Sequence, residues 1–204
     1  MHERPESTSD TPYALLVETD SFWVFGYGSL MWSPGFPFIE QRHATLPGFH
    51  RRFCIRSVLY RGTPEQPGLV LGVDAGGECQ GMAFRVDAAH REEVLKYLYE
   101  RELRLNVYTP QWVSIVSGGA TFEALTFVVN RDHDQFVYLS EEEMAGIIVC
   151  CAGAWGSNFE YLENTVRALH ELGVPDPELD ALFVRVCALR SNQPPGPAAI
   201  AASG

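Results

Sequence analysis

Two stretches of this sequence gather residue types that could do chemistry. The first is Gly26-Tyr27-Gly28-Ser29-Leu30-Met31, at the end of the apolar run Phe22 to Tyr27. Two glycines let the backbone turn sharply and aim successive amide N–H groups into one concavity, a nest suited to a carboxylate or phosphate. They equally suit a tight turn that holds nothing, and the residues alone leave both readings open. Other glycine-loop chemistry is excluded. No Gly-Lys-Ser/Thr follows, as a nucleotide-phosphate loop needs, and no helix start lies directly behind, as a dinucleotide turn needs. Nor is Ser29 in a nucleophile elbow, because Tyr27 and Met31 stand where that motif has glycines.

The second is Glu102. A helix capped by Asp87 is expected to run to about Arg104, with an apolar stripe of Val94, Leu95 and Leu98 that continues onto Glu102 and Leu105. A carboxylate thus stands where the pattern asks for leucine. Either the helix ends early and Glu102 is exposed, or the carboxylate is held against an apolar pocket, where desolvation lifts its pKa and makes it a general base. Glu92, Glu93, Lys96, Glu100 and Arg101 read as solvated helix surface.

A weaker feature is the arginine concentration at Arg42, Arg51, Arg52, Arg56 and Arg61; Lys96 is the single lysine among 15 basic residues. A guanidinium grips a carboxylate with two parallel hydrogen bonds, so one or two of these could hold an anionic substrate, although for any one of them the wet face of a strand is the simpler reading. No metal is expected. The adjacent side chains of Asp132-His133-Asp134 cannot all face one ion on an extended chain, no H-E-x-x-H is present, and the histidines lie far from cysteine pairs. Five cysteines without a C-x-x-C pair, two of them the neighbours Cys150 and Cys151, suggest reduced cytoplasmic thiols.

The elements that must position these groups fit one domain in 204 residues, with 46% hydrophobic and 20% charged residues. A formal charge of -11 disfavours nucleic acid and anionic membrane as partners and points to small molecules or other proteins. The uncharged runs Ser21 to Ile39 and Met144 to Phe159 are broken by Gly and Pro and read as buried structure rather than membrane spans. Residues 1–20 lack a signal-peptide pattern and read as a disordered extension, residues 21–190 as the domain, and 191–204 as a disordered tail.

Strands are expected at Phe22 to Tyr27, Phe49 to Ile55, Leu69 to Val73, Gln80 to Val86, Gln111 to Val116 and Phe122 to Val129. After Ser140 helices take over. Capping boxes at Ser140/Glu143 and Ser157/Glu160 open two, Gly173 stops the second, and Asp176-Pro177 caps a last helix with Leu179, Leu182, Phe183 and Val186 on one face. The expected class is α+β: a mixed, barrel-like sheet with packed helices concentrated in the C-terminal third.

At this point the segments fall into a recognisable order. Phe22 to Trp32 with Pro34-Gly35-Phe36 closely resembles the V-F-G-Y-G-S-L opening of ChaC-type γ-glutamylcyclotransferases. Arg51-Arg52-Phe53, Arg61-Gly62-Thr63-Pro64, Pro67-Gly68, Gly81-Met82-Ala83-Phe84, Tyr97-Leu98-Tyr99-Glu100-Arg101-Glu102, Gly156 to Thr165 and Leu172 to Asp176 are similar to that family's later segments. The resemblance covers about residues 22 to 187.

It implies cleavage of a γ-glutamyl peptide, most often glutathione, into 5-oxoproline and the remaining amine, without cofactor. It assigns substrate binding to Tyr27, Gly28, Ser29 and Leu30, flanked by Gly26 and Met31, and acid/base catalysis to Glu102. Arg52, Tyr108 and Tyr161 are added as candidates to complete the pocket, the tyrosines as oxyanion donors; Glu93 matches a glutamate of relatives but lies half a turn round the helix from Glu102. The link Leu103 to Tyr108 and the segment Gly153-Ala154-Trp155-Gly156 depart from the common pattern, which leaves substrate range open. Two other readings stand beside glutathione cleavage: cyclotransfer on γ-glutamyl amino acids or amines, and a non-catalytic protein that binds a γ-glutamyl metabolite. The sequence is silent on oligomeric state.

Overall fold

Five strands rich in β-branched and aromatic residues close into a barrel: β1 (Ser21–Gly26), β2 (Glu40–Ser57), β3 (Gly68–Asp87), β4 (Tyr108–Ser117) and β5 (Ala120–Val129), in spatial order β1-β3-β2-β4-β5. This is a computed structural model, and it describes residues 21–192. The expected N-terminal extension and all but the first two residues of the expected tail lie outside the described residues. α1 (Arg91–Glu102) follows β3, and α2 (Glu141–Cys150), α3 (Asn158–Glu171) and α4 (Pro177–Ser191) form the C-terminal third. A two-residue hairpin, β6 (Ala152–Gly153) with β7 (Gly156–Ser157), joins α2 to α3. Among the described residues no helix is long and apolar enough to cross a membrane.

The expected strands at residues 69–73 and 80–86 are two halves of the single 20-residue strand β3. Gly76 and Gly77, at φ 112° and 68°, make the bend between them, and the pairing with β2 slips there, opposite Pro47 and Phe49. Glycines supply the positive φ that a bulge of this kind requires, so a segment that reads as a break is a corner of the barrel. β2 likewise extends well before Phe49, to Glu40.

Alternate strand residues feed two large apolar clusters and a small one of Cys54, Ile55, Val107 and Val129. One, including Phe25, Leu46, Val73, Ala83, Ile115 and Ala124, is drawn from the five strands and Tyr27 alone and fills the barrel. The other joins the outer faces of the strands, among them Phe84 and Leu71, to Val94 and Leu98 of α1, Leu162 and Leu169 of α3 and Leu182 of α4. α2, α3 and α4 pack on one another, and α2 and α3 on β3. Asn158, fully buried at the start of α3, acts as a substitute strand partner: its amide accepts from Leu69 N–H at 2.6 Å and donates to Leu69 C=O at 2.7 Å.

The helix starts follow their caps. Ser140 and Glu143 form a complete capping box, Ser157 accepts from Glu160 N–H at 3.1 Å, and Asp176 from Leu179 N–H at 3.3 Å. α4 runs to Ser191 with Asn192 as its C-cap.

One point of the topology matters for function. β5 runs parallel to β1 at Trp23–Ala124 and Val24–Leu125, then parallel to β3 at Val73–Val128. β1 stops between these two pairings. The chain after Gly26 therefore leaves the sheet where β5 changes partner, the kind of switch point at which sheets open a crevice.

Candidate active site

The Gly26–Met31 segment occupies that fork. Ser29–Met31 is one turn of 3-10 helix, closed by Met31 N–H on Gly28 O at 2.8 Å and followed by Ser33 N–H on Ser29 O at 2.9 Å. A Cβ on Gly26 would lie 2.9 Å from Leu30 Cβ, so glycine is what lets the turn fold back on its strand. The first amides of such a turn, those of Ser29 and Leu30, have no acceptor within it.

Two arginines grip this turn and the residues flanking it. Arg51, buried, donates from Nε to Tyr27 O at 2.8 Å and from its Nη atoms to Asp176 Oδ2 at 3.1 Å and to Gln80 O. Arg101, from the last turn of α1, donates to Ser29 Oγ at 2.9 Å, Ser33 O at 2.8 Å, Pro34 O at 3.2 Å and Tyr97 Oη at 2.7 Å. Its Nε lies 3.0 Å from Glu102 Oε1. One guanidinium thus holds both the glycine turn and the candidate base.

Glu102 is the last residue of α1; the helix closes on Leu103, and Asn106, at φ 55°, turns the chain toward β4. The early end does not expose the carboxylate, whose side chain is 16% exposed. Burial pushes its pKa up, while the charge and hydrogen bond of Arg101 pull it partly back. The negative end of the helix dipole acts in the same direction as burial.

Three phenols complete the site. Tyr27 donates to Phe127 O at 2.7 Å and Tyr108 to Leu71 O at 2.6 Å. Tyr161 instead receives a backbone hydrogen bond from Leu71. Burial pushes the Tyr161 phenol up to about 12, and those of Tyr27 and Tyr108 well above their ordinary value. All three are neutral at pH 7. Two spend their proton on a carbonyl, whereas Tyr161 accepts from the backbone and keeps its O–H for a ligand.

Gly28, Ser29, Leu30, Leu71, Tyr108, Tyr161, Glu102, Tyr27 and Phe127 enclose a recess of about 30 Å³. Through Ser29, Glu102, Tyr108 and Tyr161 it adjoins a cavity of about 640 Å³, within the range of small-molecule sites.

The structure therefore brings together Tyr27, Gly28, Ser29, Leu30, Glu102, Tyr108 and Tyr161. Gly26 and Met31 lie behind them, Met31 Sδ facing Arg51 at 3.9 Å. Arg52 lies elsewhere: it donates to Leu139 O at 3.3 Å and stacks on Tyr138, 4.0 Å from the ring centroid. Neighbours on a strand point to opposite faces, so only one of Arg51 and Arg52 can reach the turn, and it is Arg51. Glu93 is on the exposed face of α1, and Leu105, expected on the buried stripe, is 41% exposed because the helix has ended. Arg101, expected on the surface, is the residue that sequence reasoning missed; its place directly before the flagged Glu102 was the available signal. Arg61 lines the larger cavity and ties it to the β6–β7 hairpin through Trp155 O at 2.5 Å. Among the described residues no group of three or more His, Cys, Asp or Glu side chains could hold a metal ion.

A family model described as ChaC-like protein matches residues 22–189. The chain is 36% identical over 166 residues to the glutathione-specific gamma-glutamylcyclotransferase of Escherichia coli (strain K12), covering 80% of this chain and 72% of that protein. It is 33% identical over 177 residues to glutathione-specific gamma-glutamylcyclotransferase 1 of Danio rerio, covering 83% and 88%. In fold it is similar to the crystal structure of the yeast γ-glutamyl cyclotransferase specific to glutathione, with a TM-score of 0.78 at 24% identity over 86% of this chain and 99% of that one.

Proposed function

This chain belongs to the ChaC-like protein family, and from that premise we propose that it is a glutathione-specific γ-glutamylcyclotransferase in which Glu102 is the general acid and base. The substrate's α-amine attacks its own γ-carbonyl, a C–N bond forms as the peptide C–N bond breaks, and 5-oxoproline and cysteinylglycine leave. The nucleophile is already tethered and the ring has five members, so holding the right conformer supplies much of the rate.

The amides of Ser29 and Leu30 anchor the α-carboxylate and curl the glutamyl chain over Glu102. Glu102 takes a proton from the neutral α-amine as it attacks, leaving the ring N–H of the lactam, and returns that proton to the leaving nitrogen; its raised pKa suits both steps. Tyr161, with its proton uncommitted, donates to the developing oxyanion. Tyr108 braces the wall through Leu71. The free cysteines fit a reducing cytoplasm.

The observation that carries this reading is the shared grip of Arg101, which sets a half-dry carboxylate beside the glycine turn. Glu102→Gln is expected to keep the fold and bind glutathione by calorimetry while 5-oxoproline release falls by roughly 10² to 10⁴. Retained turnover would overturn the role. Running the native chain on glutathione and on γ-glutamylalanine separates peptide cleavage from the broader γ-glutamyl activity, and no 5-oxoproline from either leaves only a binding protein.

A further inference from the structure

The larger cavity carries more positive than negative side chains although the chain as a whole has a formal charge of -11. Arg56, Arg61, Arg101 and Arg104 line it against Glu100 and Glu102. Most of this charge is already committed. Arg101 holds the glycine turn and Glu102, and Arg61 is spent on the carbonyls of Trp155 and Ser157. Among the described residues neither Arg56 nor Arg104 makes a side-chain hydrogen bond or ion pair that any contact accounts for.

Arg56 stands at the end of β2, its own backbone fixed by N–H donation to Gln135 O at 2.8 Å. Arg104 lines the same cavity from the short link between α1 and β4. Arg56 is held on a paired strand, opposite Leu69 of β3, whereas Arg104 sits in the link between two elements, so Arg56 carries the larger share of any anion binding.

Resting on the cyclotransferase reading, we infer that Arg56, assisted by Arg104, forms a subsite for the terminal carboxylate of the leaving dipeptide. With the glutamyl end in the 30 Å³ recess, the rest of the substrate extends past Ser29, Glu102, Tyr108 and Tyr161, which the recess shares with the larger cavity. Its carboxylate then meets two guanidinium groups with no other partner. The site thereby selects γ-glutamyl peptides that end in a free carboxylate at dipeptide distance.

The test compares glutathione with its glycine ethyl ester, which lacks that negative charge, and follows 5-oxoproline. The native chain is expected to lose roughly tenfold to a hundredfold in kcat/KM on the ester, chiefly through KM, the size of one charge-assisted contact. Arg56→Gln/Arg104→Gln is expected to lose the same factor on glutathione, to show no change on the ester, and to melt like the native chain. Equal rates on the two substrates by the native chain, or an undiminished preference in the double variant, overturns the subsite. Absence of 5-oxoproline from both substrates overturns the cyclotransferase reading itself.

Discussion

Glu102 and Glu143 are the same side chain placed at opposite ends of two helices. At the start of α2, Glu143 is solvated and accepts from Ser140 N–H at 2.8 Å and Ser140 Oγ at 2.7 Å, bonds that hold its carboxyl below the ordinary value. At the end of α1, Glu102 is buried, meets the negative end of its helix, and has its charge supported by Arg101; burial prevails and the pKa rises. One carboxylate is an anchor because it prefers to stay charged, and the other is suited to moving protons because its charge is costly. Water access and helix polarity, not residue type, decide which.

The contrast can be broken at several points. After the loss expected of Glu102→Gln, the largest effect is expected from Glu102→Asp, which keeps the charge but draws the carboxylate back by one methylene; kcat should fall by about 10²-fold, the cost of displacing a reacting group by roughly 1 Å. Native-like turnover would mean that position at the helix end is not critical. Next is Arg101→Met, which loosens the glycine turn and removes the cation that lowers the Glu102 pKa. The acid limb of the kcat/KM profile should move to higher pH, with about a tenfold loss at neutrality from the loosened turn. An unmoved limb would separate Arg101 from the base.

On the other helix, Ser140→Ala should cost about 1 kcal/mol in urea unfolding with activity per folded molecule unchanged. The smallest effects are pH signatures of opposite sign. A folded-state pKa raised above the unfolded one means that Glu102 contributes best when protonated and costs stability as pH climbs from its ordinary 4.5. Glu102→Gln should therefore melt above the native chain at pH 7, with the gap closing in acid. For Glu143, whose pKa is depressed, stability is present above 4.5 and lost as pH falls, so the Ser140→Ala deficit should shrink toward low pH. Calorimetric melting from about pH 2 to 8 reads both.

Much of this arrangement was legible in the sequence, for identifiable reasons. Caps are local, so Ser140, Ser157 and Asp176 marked the helix starts they occupy. A polar residue on an apolar stripe is local too, and it singled out Glu102. What escaped notice depends on distant partners. The bend at Gly76 and Gly77 reads as the end of a strand until β2 is known to follow it round. Arg51 and Arg52 are indistinguishable until the register of β2 shows which faces the turn. Arg101 reads as surface on a helix wheel, because the wheel omits the loop of Ser33 and Pro34 that folds over it.

The peptide unit of Leu71 has a consequence of its own. It is touched by both Tyr108 and Tyr161, so the aim of two rings is fixed by main-chain atoms. No codon change at that position deletes a carbonyl or, short of proline, an amide. A screen for dead clones would readily collect losses at the rings themselves yet pass over exchanges among similar aliphatics at residue 71. The guide that sets those rings is inherited through the alignment of the strand and not through any one letter of the gene.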